Sequence, residues 1–239
     1  MTDRDQKTET MQQLPPLSQG SGSLTSKIYY ADDRCTIYHG DCTEILPCLA
    51  PVDCIITDPP FNAGKSFEND NLGEMDFKIF CNKTAILFYE INPENILIEV
   101  GKDDNTMRSE IERYFKYEYS LCLNYTNSMR NGKIGYSNWG LVLWFSNGGK
   151  CYNRYKDRLD SPLNNTKDKF SHPSPKEVLH YGRLIKMFSD ENSVICDPFL
   201  GTGTTLVASK GLGRKAIGIE INERYCEIAA NRLRQNELF

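Results

Sequence analysis

The stretch 193–220, SVICDPFLGTGTTLVASKGLGRKAIGIE, decides how this chain folds. SVICD is a short apolar run that stops at an acid. PFLGTG is a turn with two glycines, TTLVASKGLG is helical and closes on glycine, and KAIGIE is a second apolar run ending on another acid. Strand, turn, helix and strand in that order belong to a mainly parallel α/β sheet. Gly201 and Gly203 permit a tight turn with close backbone approach. The helix N-terminus behind them favours an anionic or carboxylate-bearing ligand. Glu220, at the end of the second strand, is an acid of the kind that holds ribose hydroxyls in dinucleotide folds. The third glycine of the dinucleotide fingerprint is missing, because Leu206 stands there, and no Lys-Ser/Thr pair of the phosphate-loop kind follows. Taken alone, the pattern also fits an ordinary glycine turn followed by a strand-end acid.

Outward from this unit, the chain continues with one more helix, NERYCEIAANRLRQ, and the sheet then needs its next strand from elsewhere. RCTIYHGD, beginning at Arg34, is free to supply it. Asp41 would then end a strand beside that of Glu220, facing the same crevice at the carboxyl edge. CTEILPCL reads as a short helix, and VDCIIT as a strand buried on both faces. Residues 76–91 have helical spacing and stop at Asn92-Pro93, NILIEVG is the next strand, and MRSEIERYF another helix. EYSLCLNYT and NWGLVLWFS, separated by the loop NSMRNGKIGYS, read as an antiparallel pair. Residues 147–171 read as a basic loop, followed by the helix PKEVLHYGRLIKMF. Residues 1–26, polar and rich in Gln, Ser and Thr, read as a flexible tail, and 27–239 as a single domain.

A chain of 239 residues, 39% of them hydrophobic, is long enough to bury a sizeable core. Its net charge of −4 gives no global sign of a polyanionic partner. Locally, residues 66–112 hold eleven acids against four bases, whereas 146–187 hold nine bases against four acids. Such asymmetry points either to a face that meets phosphate or to two differently solvated surfaces. The nine cysteines contain no C-x-x-C pair, and several sit in apolar runs, so no metal site is expected. With no apolar core in the first 26 residues and no run near the ~20 residues of a membrane span, the expectation is a soluble, cytoplasmic protein.

VDCIITDPPFNAG (52–64) reads either as a strand ending in a proline turn or as a site of amine chemistry. An exocyclic amino group on a nucleobase is a poor nucleophile, because its lone pair is delocalised into the ring. The carboxylate of Asp58 and the carbonyl of Pro59 can accept its two N–H bonds and localise that lone pair. Pro59 and Pro60 fix φ and remove competing donors, while Phe61 offers a stacking face worth about 1–3 kcal/mol. Such chemistry on duplex DNA requires the base to leave the helix.

DPPF, followed by HPSPKE (172–177), DPFLGTGTT (197–205) and GIEIN (218–222), resembles the amino-group DNA methyltransferases, which transfer methyl from S-adenosylmethionine to adenine N6 or cytosine N4. The order, catalytic motif first and cofactor motif last, is similar to their β group, over roughly residues 34–235. The resemblance implies a class I, Rossmann-like methyltransferase fold, mainly parallel, with an antiparallel edge hairpin and a circularly permuted motif order. It implies a target-amine site at Asp58, Pro59, Pro60 and Phe61. Cofactor contacts would come from Asp197, Phe199, Gly201, Gly203 and Thr204, with Glu220 on the ribose, Asp41 near the adenine and Lys176 on the carboxylate. Asp before Pro-Pro is the adenine-leaning form, with cytosine N4 as the alternative target.

The usual target-recognition insertion is reduced to about 147–171 here. Selectivity would then be weak, or rest on a second subunit, a homodimer or the loop 127–138. Arg130, Lys133, Lys150, Arg154, Lys156 and Arg158 are the expected phosphate contacts, flanking the DPPF crevice. An RNA amino-methyltransferase, a non-catalytic nucleic-acid-binding relative and a nicotinamide dehydrogenase are the alternatives. Motif order, the intact DPPF and Leu206 respectively speak against them.

Overall fold

A computed structural model describes residues 24–62, 71–101, 105–126, 130–132, 135–162 and 177–235. After a 3₁₀ turn at Leu24–Lys27, the first half runs β1 (Ile28–Ala31), β2 (Cys35–His39), α1 (Cys42–Ile45), β3 (Cys54–Thr57), α2 (Glu74–Ile91), β4 (Asn95–Val100), α3 (Thr106–Ile111) and β5 (Lys116–Tyr125). The second half runs β6 (Arg130–Gly132), β7 (Gly135–Ser137), β8 (Trp139–Ser146), β9 (Arg158–Ser161), α4 (Val178–Phe188), β10 (Val194–Asp197), α5 (Thr204–Gly211), β11 (Lys215–Glu220) and α6 (Glu223–Arg234).

Among the described residues nine strands form one sheet in the order β1-β2-β11-β10-β3-β4-β8-β5-β9, and β6 pairs with β7 in a separate hairpin. The core from β2 to β4 is parallel. As its motif order implies, β2 lies beside β11, with His39 opposite Glu220. Alternate residues of each central strand face opposite layers. Ile56 and Leu97 pack with Leu184 of α4, Leu206 of α5 and Ala229 of α6, whereas Ile55, Ile96 and Ile98 pack with Phe77 and Phe88 of α2 and Ile111 of α3. That is why β3 and β4 read as continuous apolar runs: both faces are covered. Asn92, left-handed at φ 56°, caps the C-terminus of α2, and its amide donates to Phe88 O.

Three elements differ from the sequence reading. The antiparallel pair β5/β8 exists, but β9 adds outside it in parallel, so the pair is not the edge. β9, RLDS, replaces part of the basic loop expected over 147–171; as an outer strand it buries only Leu159 and Ser161, and half its residues face solvent. β1, IYYA, forms an antiparallel cover on β2, and 130–132 pairs with 135–137 as the hairpin β6–β7. Among the described residues no helix is long and apolar enough to cross a membrane.

Candidate functional site

Four neighbouring parallel strands, β2, β11, β10 and β3, end at one rim of the sheet and deliver Asp41, Glu220, Asp197 and Asp58 to it. The chain leaves β10 toward β11 on one side and leaves β3 toward β4 on the other. The gap between the ends of β10 and β3 is therefore the topological switch point, where open α/β sheets hold ligands.

On the β3 side, Asp58, Pro60 and Phe61 are half-buried and Pro59 is buried. Asn62 turns the chain sharply after Phe61, in left-handed conformation at φ 55°. Its side chain clamps Leu72: Nδ2 donates to the Leu72 carbonyl at 3.0 Å, and Oδ1 accepts from the Leu72 amide at 2.7 Å. The exit from the DPPF segment is thus fixed by the side chain of Asn62.

Register places Glu99 of β4 next to Asp58, one step past the Thr57–Ile98 pair. Gly140 makes room for it, since a Cβ there would lie 2.7 Å from Glu99 Oε1. Tyr181 of α4 is buried against this acid-rich floor. Burial, then the charges of Glu99, Asp58 and Asp197, raise its pKa well above that of a free tyrosine. His180 beside it, edge-on to Tyr125 at 5.0 Å, is held toward its neutral form by burial and belongs to the core.

On the β10 side, Asp197 is only 3% exposed. Its Oδ1 accepts from Thr57 Oγ1 at 2.7 Å and from the Phe199 amide at 3.1 Å, while Oδ2 accepts from Thr205 Oγ1 at 2.5 Å. The carboxylate expected against the cofactor is turned inward and holds the turn together instead. Burial pushes its pKa up to about 6, against the pull of those three bonds.

A carboxyl with a raised folded pKa binds its proton more tightly folded than unfolded. Well below 3.8 both states are protonated; as pH climbs from there toward about 6 the unfolded chain ionises first, and stability falls. The loss, roughly 3 kcal/mol from a shift of about two units, is complete above the folded pKa. Asp197→Asn keeps an acceptor for Thr57 and Phe199 and cannot ionise. Between about pH 4 and pH 7 its stability relative to wild type is expected to rise by about 2 kcal/mol, most of that amount. Urea unfolding at both pH values checks this, and an unchanged difference would exclude it.

Glu220, 8% exposed, supports the same turn from the next strand: Oε2 accepts from the Gly201 amide at 2.7 Å and Oε1 from the Asn222 amide at 2.8 Å. A strand-end carboxylate braced in this way is of the kind that accepts from a vicinal diol in dinucleotide folds. Asp41 reaches the rim as the N-cap of α1, accepting from the Thr43 amide at 2.8 Å. Phe199 is half-buried and packs edge-on against Phe80 of α2 at 5.8 Å. Phe80 lies in the helically spaced stretch 76–91, and its half-exposed face beside the turn is visible only in three dimensions.

Two expected cofactor contacts, Gly203 and Thr204, also pack the turn against α6. A Cβ on Gly203, φ 86°, would come within 2.7 Å of the Ala229 Cβ on α6. Thr204 is buried, and its hydroxyl accepts from Arg232 Nη1 of α6 at 3.2 Å. Both residues join α5 to α6. Arg232, which also donates to the Thr202 carbonyl at 2.8 Å, is a functional support that the sequence reading did not single out. Its one legible signal is a base amid Ala229, Ala230 and Leu233.

The expected phosphate contacts do not flank the crevice as a group. Lys150 lies at the opposite, amino edge of the sheet, where its carbonyl accepts from Asn95 at the start of β4. Asn153 is bonded to Lys186 O in the last turn of α4, so Arg154 leaves from that same edge. Arg154 and Lys156 are exposed on the stretch leading up to β9. Arg158 opens β9 on the outermost strand, four strands from β3, and is paired with Asp160 at 2.8 Å. The physical reason is the antiparallel run of β8, which leaves the chain at the amino edge after Ser146; Arg158 itself is level with Cys122, Leu141 and Val100, at the carboxyl end of β4. Arg130 lies on β6, in the hairpin that joins the carboxyl end of β5 to β8. Lys133 and Lys176, with the rest of HPSPKE up to Lys176, lie outside the described residues.

Comparison with known proteins agrees with this arrangement. The model of the N6/N4 DNA methylase family matches residues 52–231. The type II methyltransferase M.HpaI of Haemophilus parainfluenzae is 29% identical over 213 residues, 76% of this chain and 68% of that protein. The type II methyltransferase M2.LlaDCHI of Lactococcus lactis subsp. cremoris is 27% identical, covering 91% of this chain and 96% of that one. The crystal structure of the M1.HpyAVI complex with S-adenosylmethionine superposes with a TM-score of 0.66 at 24% identity, over 83% of this chain and 99% of its own, a likeness of fold. With DPPF and the glycine turn meeting at the switch point of a sheet of this order, the chain belongs to the N6/N4 DNA methylase family.

Proposed function

We propose that the protein transfers a methyl group from S-adenosylmethionine to the exocyclic amine of a DNA base flipped out of the duplex, and that the base is adenine. The observation that supports this best is the placement of the Asp58–Phe61 segment directly across the switch point from the glycine turn, joined to it by the bond from Thr57 to Asp197. Asp58 and the Pro59 carbonyl accept the two N–H bonds of the amine and turn its lone pair toward the methyl group. Phe61 stacks on the base, and extrusion from the duplex supplies the access that this requires. S-Adenosylmethionine, when bound, supplies a methyl group on a positively charged sulfur. Glu220 accepts from its ribose hydroxyls, and the acid-lined rim suits the charge.

Adenine is favoured over cytosine N4 by the residue before Pro59-Pro60, an aspartate. DNA would approach the rim where the hairpin β6–β7 stands, with Arg158 at the outer side. The test is wild-type protein with labelled S-adenosylmethionine and duplex DNA, followed by digestion and mass spectrometry of the nucleosides. N6-methyladenine is the expected product. N4-methylcytosine would move the target, and unmodified nucleosides would overturn the reading.

A further inference from the structure

We propose that Thr57 is a positioning residue for methyl transfer, holding the Asp58 site against the cofactor turn through the carboxylate of Asp197. The inference rests on the functional reading above. Backbone pairing between β10 and β3 joins Ile195 to Cys54 and Cys196 to Ile55, and it goes no further. Past that point the side-chain bond from Thr57 Oγ1 to Asp197 Oδ1, 2.7 Å long, spans the two strand ends. Both residues are almost fully buried, at 1% and 3% exposure, so water does not compete for the bond. Thr57 is the residue immediately before Asp58.

The same carboxylate accepts from the Phe199 amide in the glycine turn and from Thr205 in the first turn of α5. One buried group therefore ties three pieces together: the approach to the amine site, the turn and the helix behind it. Thr57 is β-branched and stiff at χ1, so its hydroxyl fixes the direction in which the backbone enters Asp58. A displacement of about 1 Å at a reacting group can lower a rate 10²-fold.

Thr57→Val keeps the shape and removes the hydroxyl. The expected result is a kcat about tenfold lower, with the dissociation constant for S-adenosylmethionine within about twofold of wild type. The turn keeps its bonds from Phe199 and Thr205 to Asp197, which is why cofactor affinity is spared. Thr57→Ser restores the donor and is expected to restore kcat. Calorimetry with S-adenosylmethionine, single-turnover methylation of duplex DNA and thermal unfolding are measured on all three proteins, and Thr57→Ala replaces the valine variant if that fails to fold. Wild-type transfer with an unchanged kcat in the hydroxyl-less variant would overturn the inference alone. So would a loss confined to cofactor affinity, or a serine variant as slow as the valine one. Absence of wild-type transfer would overturn the functional reading, and the inference with it.

Discussion

Asp58→Ala is expected to lower methyl transfer by about 10³-fold while leaving S-adenosylmethionine affinity near that of wild type. The carboxylate is proposed to accept an amine N–H and to direct a lone pair that the ring otherwise withholds, so its loss acts on the chemical step. The glycine turn is braced by Asp197, which bonds Thr57, Phe199 and Thr205, and by Glu220, which bonds Gly201. The buried Pro59 and the Asn62 clamp on Leu72 keep the segment in place in the variant. Single-turnover methylation beside calorimetry separates the two effects. Transfer at more than about a tenth of the wild-type rate would exclude Asp58 from the amine site, and loss of cofactor binding would assign it to the other half.

Gly203→Val is expected to destabilise the fold by about 4 kcal/mol, from a left-handed backbone penalty of about 1–2 kcal/mol and an overpacking cost of about 1–3 kcal/mol. The glycine sits at φ 86°, and an added Cβ lands 2.7 Å from that of Ala229 and 3.1 Å from its Cα, so α5 and α6 would have to part. The effect is on stability first and on cofactor binding only through it. Ala229→Gly should recover part of the loss, since it removes the Cβ that is struck and leaves the backbone strain. Urea unfolding of the single and double variants measures both contributions. A Gly203→Val protein of wild-type stability that fails to bind S-adenosylmethionine would return the glycine to the cofactor pocket.

The division between what was legible in the chain and what was not follows from the range of each interaction. Strand and helix positions were readable because they depend on local period: VDCIIT and NILIEVG are buried on both faces and show it as unbroken apolar runs. The permuted strand order was readable because a strand was wanted beside Glu220 and RCTIYHGD stood unassigned. DPPF and the glycine turn were readable because their chemistry is carried by consecutive residues. β9 and β1 escaped, being short outer strands whose exposed positions break the apolar pattern.

Direction was the part that the residues alone did not determine. Asp197, Gly203 and Thr204 stand one after another in a motif that resembles a cofactor loop, yet a single left-handed turn sends Gly203 and Thr204 toward α6 and the Asp197 carboxylate into the core. The basic residues from Lys150 to Arg158 precede the HPSPKE segment in sequence, yet β8 ends at the far edge of the sheet and leaves Lys150 there, while Arg158 stands level with the carboxyl end of β4 on the outermost strand. A side chain's type and its neighbours in the chain state which chemistry is available. Which group meets which is decided by packing between segments 140 residues apart, as with Thr57 and Asp197.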